Sequence, residues 1–150
     1  MKICIDASLA LMWLLPAELN DRANALRKKW DAEAVQLISA PLFYAEVTSV
    51  LREQVYFQKL LPEEGEEAFS LCLEMGVKIL RDSSRIQKKA WELAKKHNRT
   101  RTYDMQYLAV AEIEDCDFWT ADKRLCNALA KKVPRLKYVG EFQGGGPGSQ

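Results

Sequence analysis

The sequence is poor in the residues that many metal sites and catalytic sites use. It contains one histidine, His97, in 150 residues, so histidine-rich zinc sites and histidine-dependent catalytic triads are poorly supplied. Its four cysteines, Cys4, Cys72, Cys116 and Cys126, stand far apart, unlike the close pairs of zinc sites or the framework of a disulfide-rich secreted domain. We therefore expect buried free thiols, and we expect carboxylates to bind any metal ion.

Long apolar segments and an excess of charge of one sign are also lacking. The longest apolar run, residues 9–15, is too short to cross a membrane and ends at Pro16. Asp6 interrupts the hydrophobic part that a secretory signal peptide requires. Lys and Arg number 22 against 21 Asp and Glu, so the net charge of +1 provides no general attraction to nucleic acid. We expect a cytoplasmic protein that makes no membrane contact.

Length and composition fit one folded domain. A chain of 150 residues can bury a sufficient core without disulfides, and 48% hydrophobic with 29% charged residues is close to the globular average. We predict a single domain over residues 1–142. Residues 143–150 are rich in glycine and contain no apolar side chain to bury, so we expect a flexible tail of the kind that expression vectors add.

Strand-like apolar segments alternate with amphipathic helices along the chain. The predicted strands are residues 3–5, 35–38, 77–80, 118–120 and 136–139. The predicted helices are residues 7–15, 20–30, 41–59, 62–76, 84–97, 102–115 and 122–131. Strands that alternate with helices indicate a parallel sheet that is covered on both faces. We predict an α/β fold with three layers, α/β/α, around a central parallel sheet of four or five strands.

Two acidic residues lie on apolar helix faces. Glu46 shares a face with Leu42 and Phe43 on the third predicted helix. A carboxylate there costs free energy unless it is paired, protonated or bound to a cation, and an ion pair with a distant Lys or Arg is the alternative to a ligand role. Asp104 likewise shares a face with Tyr107, although an acid in the first turn of a helix is also favourable on electrostatic grounds.

Two further acids follow predicted strands. Asp6 and Asp122 each stand between a strand and a helix, which taken singly is typical of a helix N-cap. In an open parallel sheet, however, ligands bind at the carboxyl ends of the strands, where both aspartates would emerge. If the helices that carry Glu46 and Asp104 flank that edge, four carboxylates converge. Such oxygen ligands suit Mg²⁺ or Mn²⁺, and the site could activate water for phosphodiester hydrolysis.

These acids lie in four short segments, in the order Ile5–Leu11, Pro41–Val47, Tyr103–Ala109 and Thr120–Leu125. Together the segments resemble the PIN-domain family, most closely its VapC-type toxin ribonucleases, and the resemblance spans about residues 2–140. It implies a PIN-like fold in which Asp6, Glu46, Asp104 and Asp122 are the catalytic and metal-binding residues. The implied cofactor is Mg²⁺ or Mn²⁺, with one or two ions, and the implied reaction is endonucleolytic cleavage of RNA.

The resemblance also implies supporting residues and partners. The hydroxyls of Ser8 and Thr120 would support the acids, and Asn127 would support the site where some members of the family have an additional acid. The family further implies a homodimer and a small antitoxin, similar to VapB, whose tail occupies the active-site groove. The protein would then be the toxin of a toxin–antitoxin pair.

Basic residues close to the acids are the candidates for contacts with the RNA backbone. Arg99 and Arg101 precede the third acid, and Lys123 and Arg124 follow the fourth, so we expect these four to contact phosphates. We expect the bases of residues 88–96 to form a solvated helix face. The tryptophans occupy helix or strand positions, where packing in the core is favoured over stacking on bases.

Two other functions compete with this interpretation. A metal-dependent phosphatase on an α/β fold usually has a second acid two residues after the first aspartate, where this chain has Ser8. A PIN-like binding module that has lost its chemistry would be expected to lack one of the carboxylates, and all four are present. We therefore favour the ribonuclease.

Overall fold

The predicted alternation of strands and helices is present in the computed structural model, which describes residues 1–17 and 19–144. The strands are β1 (Lys2–Ile5), β2 (Gln36–Ser39), β3 (Lys78–Ile79), β4 (Asp117–Thr120) and β5 (Leu136–Tyr138). The helices are α1 (Ala7–Leu14), α2 (Asn20–Ala32), α3 (Phe43–Tyr56), α4 (Pro62–Leu73), α5 (Ser84–Lys96), α6 (Tyr103–Ile113) and α7 (Lys123–Leu129). A short 3₁₀ helix, Val139–Glu141, follows β5. Most of the predicted tail, residues 145–150, lies outside the described residues.

The strands form one parallel sheet in the order β3-β2-β1-β4-β5. The central strand, β1, places Ile3 opposite Leu37 of β2 and Cys4 opposite Phe118 of β4. Cys4 and Ile5 are both fully buried although their side chains point to opposite faces, so both faces of the sheet are covered. The α/β fold and the parallel sheet of five strands are confirmed.

The predicted elements all occur, and their ends differ by a few residues. The third helix differs most, because Pro41 and Leu42 form a tight turn in which the Phe43 amide donates to the carbonyl of Ala40 at 3.0 Å. The same helix ends at Tyr56, shortly before Gln58, whose φ of 59° is incompatible with a continuing right-handed helix. Such ends depend on backbone conformation, which hydrophobic periodicity does not specify.

The prediction that the tryptophans pack in the core is wrong for Trp91, which is 61% exposed. Trp30 packs edge-on against Trp13 and Trp119, with ring centroids 6.2 and 5.7 Å apart. Trp91 instead lies on α5 beside Ala90, which is fully buried. Successive residues of a helix point about 100° apart, so the neighbour of a buried residue can face solvent.

The prediction of buried free thiols is confirmed for three of the four cysteines. Cys4, Cys72 and Cys126 are buried and free, whereas Cys116 is free and partly exposed. In the described part of the chain, no helix is long and apolar enough to span a membrane.

Helices α3 and α4 approach each other closely at Gly65. A Cβ atom at this position would collide with Cγ2 of Val55, whose β-branched side chain is stiff. We expect Gly65→Ala to lower the free energy of unfolding by about 1–3 kcal/mol, although alanine by itself favours a helix. Urea unfolding measures the effect. The double variant Gly65→Ala, Val55→Ala should be more stable than the sum of the two single changes predicts, and strict additivity would contradict this contact.

Candidate active site

Two of the four acids stand at the carboxyl ends of neighbouring strands. Asp6 follows β1 and caps α1 by accepting a hydrogen bond from the Leu9 amide at 3.1 Å. Asp122 follows β4 and caps α7 by accepting from the Leu125 amide at 3.1 Å. Because β1 and β4 are parallel neighbours, their ends lie at the same edge of the sheet. Both aspartates are therefore N-caps and also members of a possible site, so the two interpretations are compatible.

The other two acids come from the first turns of helices α3 and α6. Glu46 and Asp104 occupy these positions, and Asp104 interacts electrostatically with all three of the other acids. Its negative charge contributes to raising the pKa of Asp6 and of Glu46, and the charge of Asp122 in turn raises that of Asp104. The structure thus brings the four predicted acids into one electrostatic cluster.

A hydroxyl network holds the most buried of these acids. Asp6 is 5% exposed, and it accepts a hydrogen bond from Ser8 Oγ at 2.7 Å on Oδ1 and one from Thr120 Oγ1 on Oδ2. The two hydroxyl oxygens in turn accept backbone hydrogen bonds, Ser8 from the Ala121 amide and Thr120 from the Asp122 amide, both at 3.0 Å. Both hydroxyls that the family resemblance named therefore contact Asp6 directly and tie it to the loop that carries Asp122.

Burial is the main reason why the carboxyl groups of Asp6, Glu46 and Asp104 hold their protons more tightly than usual. It raises the pKa of Asp6 to about 6, although hydrogen bonds from Thr120, Ser8 and the Leu9 amide act in the opposite direction. Burial also raises the pKa values of Glu46 and Asp104. Ionising these buried carboxyl groups therefore costs more free energy than ionising exposed ones.

Tyr107 is a residue of the site that the sequence analysis treated only as an apolar neighbour. Its hydroxyl donates a hydrogen bond to Oε1 of Glu46 at 2.7 Å, and its ring is buried and stacked on Phe118. Burial and the bond to Glu46 both raise the pKa of Tyr107, so it stays a hydrogen-bond donor. The signal that the sequence offered for Tyr107 was its position three residues after Asp104, on the same helix face.

The four predicted RNA-binding residues differ in their exposure and in their ion pairs. Nη2 of Arg99 lies 3.7 Å from Oδ2 of Asp104, so this base partly neutralises the acidic cluster. Arg101, Lys123 and Arg124 are exposed, and they form no salt bridge within the residues that the structure describes.

Asn127 is exposed on α7 and lines a cleft with Lys137, Tyr138 and Glu141. Over residues 1–17 and 19–144, no hydrogen bond joins its side chain to any of the four acids. The structure therefore does not bring Asn127 into the network that holds the carboxylates.

The donor chemistry of the cluster fits a hard divalent cation. Glu46, Asp104 and Asp122 each keep at least one carboxylate oxygen that accepts no hydrogen bond from the described part of the chain. Among the same residues, no three acidic, histidine or cysteine side chains are close enough to enclose an ion by themselves. Mg²⁺ does not require this, because it commonly binds through one or two carboxylates and retains several water ligands.

A sequence model of the PIN domain family matches residues 3–131. A comparison with curated proteins found no significant match.

Comparison with solved structures shows the same fold at low sequence identity. PAE2754 from Pyrobaculum aerophilum is 18% identical with a TM-score of 0.68, over 93% of this chain and 85% of that one. A toxin–antitoxin complex from Klebsiella pneumoniae is 15% identical with a TM-score of 0.65, over 93% and 99%. VapC20 of Mycobacterium tuberculosis, a toxin that cleaves the sarcin-ricin loop, is 15% identical with a TM-score of 0.60, over 85% and 95%.

The raised pKa of Asp6 predicts how stability depends on pH. Its value of about 6 in the folded protein exceeds the value of about 3.9 in an unfolded chain, so the folded state binds more protons between these two values. The contribution of Asp6 to the free energy of unfolding should therefore fall by about 2–3 kcal/mol as the pH rises from about 4 to 6, and then stay constant.

Urea unfolding in the presence of EDTA at a series of pH values measures this contribution as the difference between wild type and Asp6→Asn. The stability of Asp6→Asn relative to wild type should rise over that pH range. Asp31→Asn, an exposed change near the end of α2, is the matched control and should follow wild type. Parallel curves for wild type and Asp6→Asn would show that Asp6 titrates as it does in an unfolded chain.

Proposed function

The chain belongs to the PIN domain family, and we propose that it is a metal-dependent endoribonuclease that hydrolyses RNA phosphodiester bonds. The observation that carries the proposal is the acidic cluster itself. Asp6, Glu46, Asp104 and Asp122 come from four separate segments and interact electrostatically through Asp104, and three of these acids have raised pKa values. All four carboxylates are present, which argues against a binding module that has lost its chemistry.

The four acids would hold one or two Mg²⁺ or Mn²⁺ ions. A bound ion of this kind lowers the pKa of a water molecule and stabilises the negative charge that develops at a phosphodiester. Ser8 and Thr120 would keep Asp6 in one orientation, because each donates to a different oxygen of that carboxylate. A supporting role for Asn127 stays a prediction.

Glu46 is the acid best suited to handle a proton. Its Oε1 accepts the hydrogen bond of Tyr107, which orients the carboxylate. Oε2 has no hydrogen-bond partner in the described part of the chain and could accept a proton from an attacking water. Burial raises the pKa of Glu46, which makes it a better base than an exposed carboxylate.

The RNA would be bound through its phosphates by bases at the edge of the acidic cluster. Arg101, Lys123 and Arg124 are exposed and close in sequence to Asp104 or Asp122. Arg99 would offset part of the negative charge that an incoming phosphate meets, because it pairs with Asp104. These local bases are needed, since the net charge of the protein is only +1.

We also propose that the protein is the toxin of a toxin–antitoxin pair, that it acts in the cytoplasm as a homodimer, and that residues 1–142 form its single domain. The similar structure from Klebsiella pneumoniae is a toxin–antitoxin complex. Helices α3 and α4 and the loop between them expose large apolar side chains, and exposed apolar surface of this kind favours a protein partner. These side chains are Tyr56, Phe57, Leu61, Phe69, Leu71 and Leu73. A small antitoxin similar to VapB is the partner that we propose.

Divalent cations should stabilise the protein and support cleavage together. Millimolar Mn²⁺ or Mg²⁺ should raise the melting temperature of wild type, because a cation that binds only the folded state relieves repulsion between the acids. Asp6→Asn should be at least as stable as wild type without metal, and should lose both the metal-induced rise and the cleavage of labelled RNA. Asp31→Asn should keep both. A melting temperature that neither ion changes, or a fully active Asp6→Asn protein, would refute the proposed site.

Charge reversal at the exposed bases should weaken RNA binding. In the Asp6→Asn background, Arg101→Glu or Lys123→Glu should reduce affinity for single-stranded RNA and lower the slope of log affinity against log salt by about 0.7 for each lost phosphate contact. Lys28→Glu is the control. The next residue, Lys29, lines a crevice with Met1 and Lys2, at the edge of the sheet opposite to the acids. Equal cleavage of duplex DNA by wild type, or hydrolysis by wild type of phosphomonoesters alone, would contradict an RNA substrate.

A further inference from the structure

A cleft of about 420 Å³ lies between the start of α3 and the start of α6. Its wall includes Leu42, four residues before Glu46, and Tyr103, the residue immediately before Asp104. None of the described residues that line it belongs to the acidic cluster, so the cleft is a separate space next to the proposed catalytic groups. A nucleotide next to the cleaved phosphate could therefore place its base there.

One side of the cleft offers an aromatic ring for stacking. Tyr103, the first residue of α6, is 58% exposed, so its ring is not part of the core. Pro41 and Leu42 line the same cleft with apolar surface. Unpaired bases of RNA are commonly recognised by stacking on an accessible aromatic side chain, while their edges form hydrogen bonds. The shape and chemistry of this side of the cleft therefore suit a flat aromatic ligand.

The other side of the cleft is a fixed polar surface. The amide groups of Gln87 and Gln106 each donate to the other at 2.9 Å. Nε2 of Gln87 also donates to Oδ1 of Asp82 at 3.0 Å, and the Ser83 amide donates to the same oxygen at 2.8 Å. These bonds hold the Asp82 carboxylate in place, and within the residues described they leave its Oδ2 without a donor.

The charge of the cleft indicates which part of a nucleotide it can take. Asp82 is the one acidic or basic residue among the described residues that line the cleft, and the negative charge of a carboxylate disfavours a phosphate. A carboxylate only accepts hydrogen bonds. Of the four RNA bases, only guanine presents two adjacent N–H donors, N1–H and the N2 amino group, on its Watson–Crick edge.

We propose that this cleft binds an unpaired guanine of the RNA substrate, with the base stacked on Tyr103 and its N1–H and N2–H both donated to the free Oδ2 of Asp82. The inference rests on the proposed ribonuclease function and assigns a base preference to the same site. Because Asp82 is exposed, water competes for its oxygens. The preference for guanine over adenine should therefore be about tenfold in kcat/KM rather than several thousandfold.

The test uses single-stranded RNA oligonucleotides that differ at one base. Cleavage of a mixed-sequence RNA first locates the cut, and the neighbouring guanine is then replaced by adenine or by inosine, which lacks the N2 amino group. Wild type is compared with Tyr103→Ala, Tyr103→Phe and Asp82→Asn. Trp91→Ala is the matched control, since Trp91 is an equally exposed aromatic residue on α5 that does not line the cleft. Binding of the same oligonucleotides is measured by fluorescence anisotropy in EDTA, without cleavage.

For wild type and Trp91→Ala we expect guanine to be preferred over adenine by about tenfold, with inosine intermediate. Asp82→Asn should bring the guanine-to-adenine ratio close to one. Tyr103→Ala should weaken binding of all three oligonucleotides by about tenfold, and Tyr103→Phe should restore it because the ring is retained. A guanine preference that survives both Asp82→Asn and Tyr103→Ala, or no preference at all in wild type, overturns the proposal.

The two readouts separate this inference from the proposed function. If wild type binds guanine-containing RNA through Tyr103 and Asp82 but does not cut it with Mn²⁺, the base site stands and the nuclease assignment fails. If wild type cuts RNA and the cleft variants match it in binding and base preference, the nuclease assignment stands and the base site fails. If the cleft variants change affinity for a protein partner instead of RNA, the cleft is a protein-binding site and the proposal is wrong.

Discussion

The buried carboxylate of Asp6 is the constraint on which the rest of the site depends. It stands at the end of the central strand, and its two oxygens accept hydrogen bonds from Ser8 on α1 and from Thr120 at the end of β4. Because those hydroxyls also accept backbone hydrogen bonds from Ala121 and Asp122, one carboxylate joins three segments. Burying an ionised carboxylate without such donors would cost several kcal/mol. The hydroxyls and the local backbone must therefore stay in the positions that supply these hydrogen bonds.

The acidic cluster opposes the stability of the fold in which it stands. Burial raises the pKa values of Asp6, Glu46 and Asp104, and the charge of Asp122 adds to the effect on Asp104. Among the described residues, Arg99 is the one base that forms a salt bridge with any of these acids. A core that served stability alone would not bury a carboxylate as deeply as Asp6 is buried. Departures of this kind from local rules occur at functional sites, where a ligand supplies the missing compensation.

Individual residues show where inference from the sequence succeeded and where it failed. Glu46 stands out as a candidate because a charge on an apolar helix face is unusual, and that signal is local. Tyr107 shared a face with Asp104, but its bond to Glu46 joins residues 61 positions apart and could not be read from either segment. The helix position of Trp91 predicts packing in the core, but its side chain lies outside the buried face of α5 and is exposed. Tyr103 had no local signal that distinguished it from a core tyrosine.

The sequence by itself determined the order and type of the helices and strands, and hence the parallel α/β fold, because both follow from periodicities of two or 3.6 residues that are properties of neighbouring side chains. It also placed Asp6 and Asp122 at strand ends, since each directly follows a short apolar run. Only the tertiary structure decided how the first turns of α3 and α6 lie relative to each other and which side chains face the cleft between them. That depends on contacts between residues far apart in the chain, whose geometry is set by the packing of the whole core.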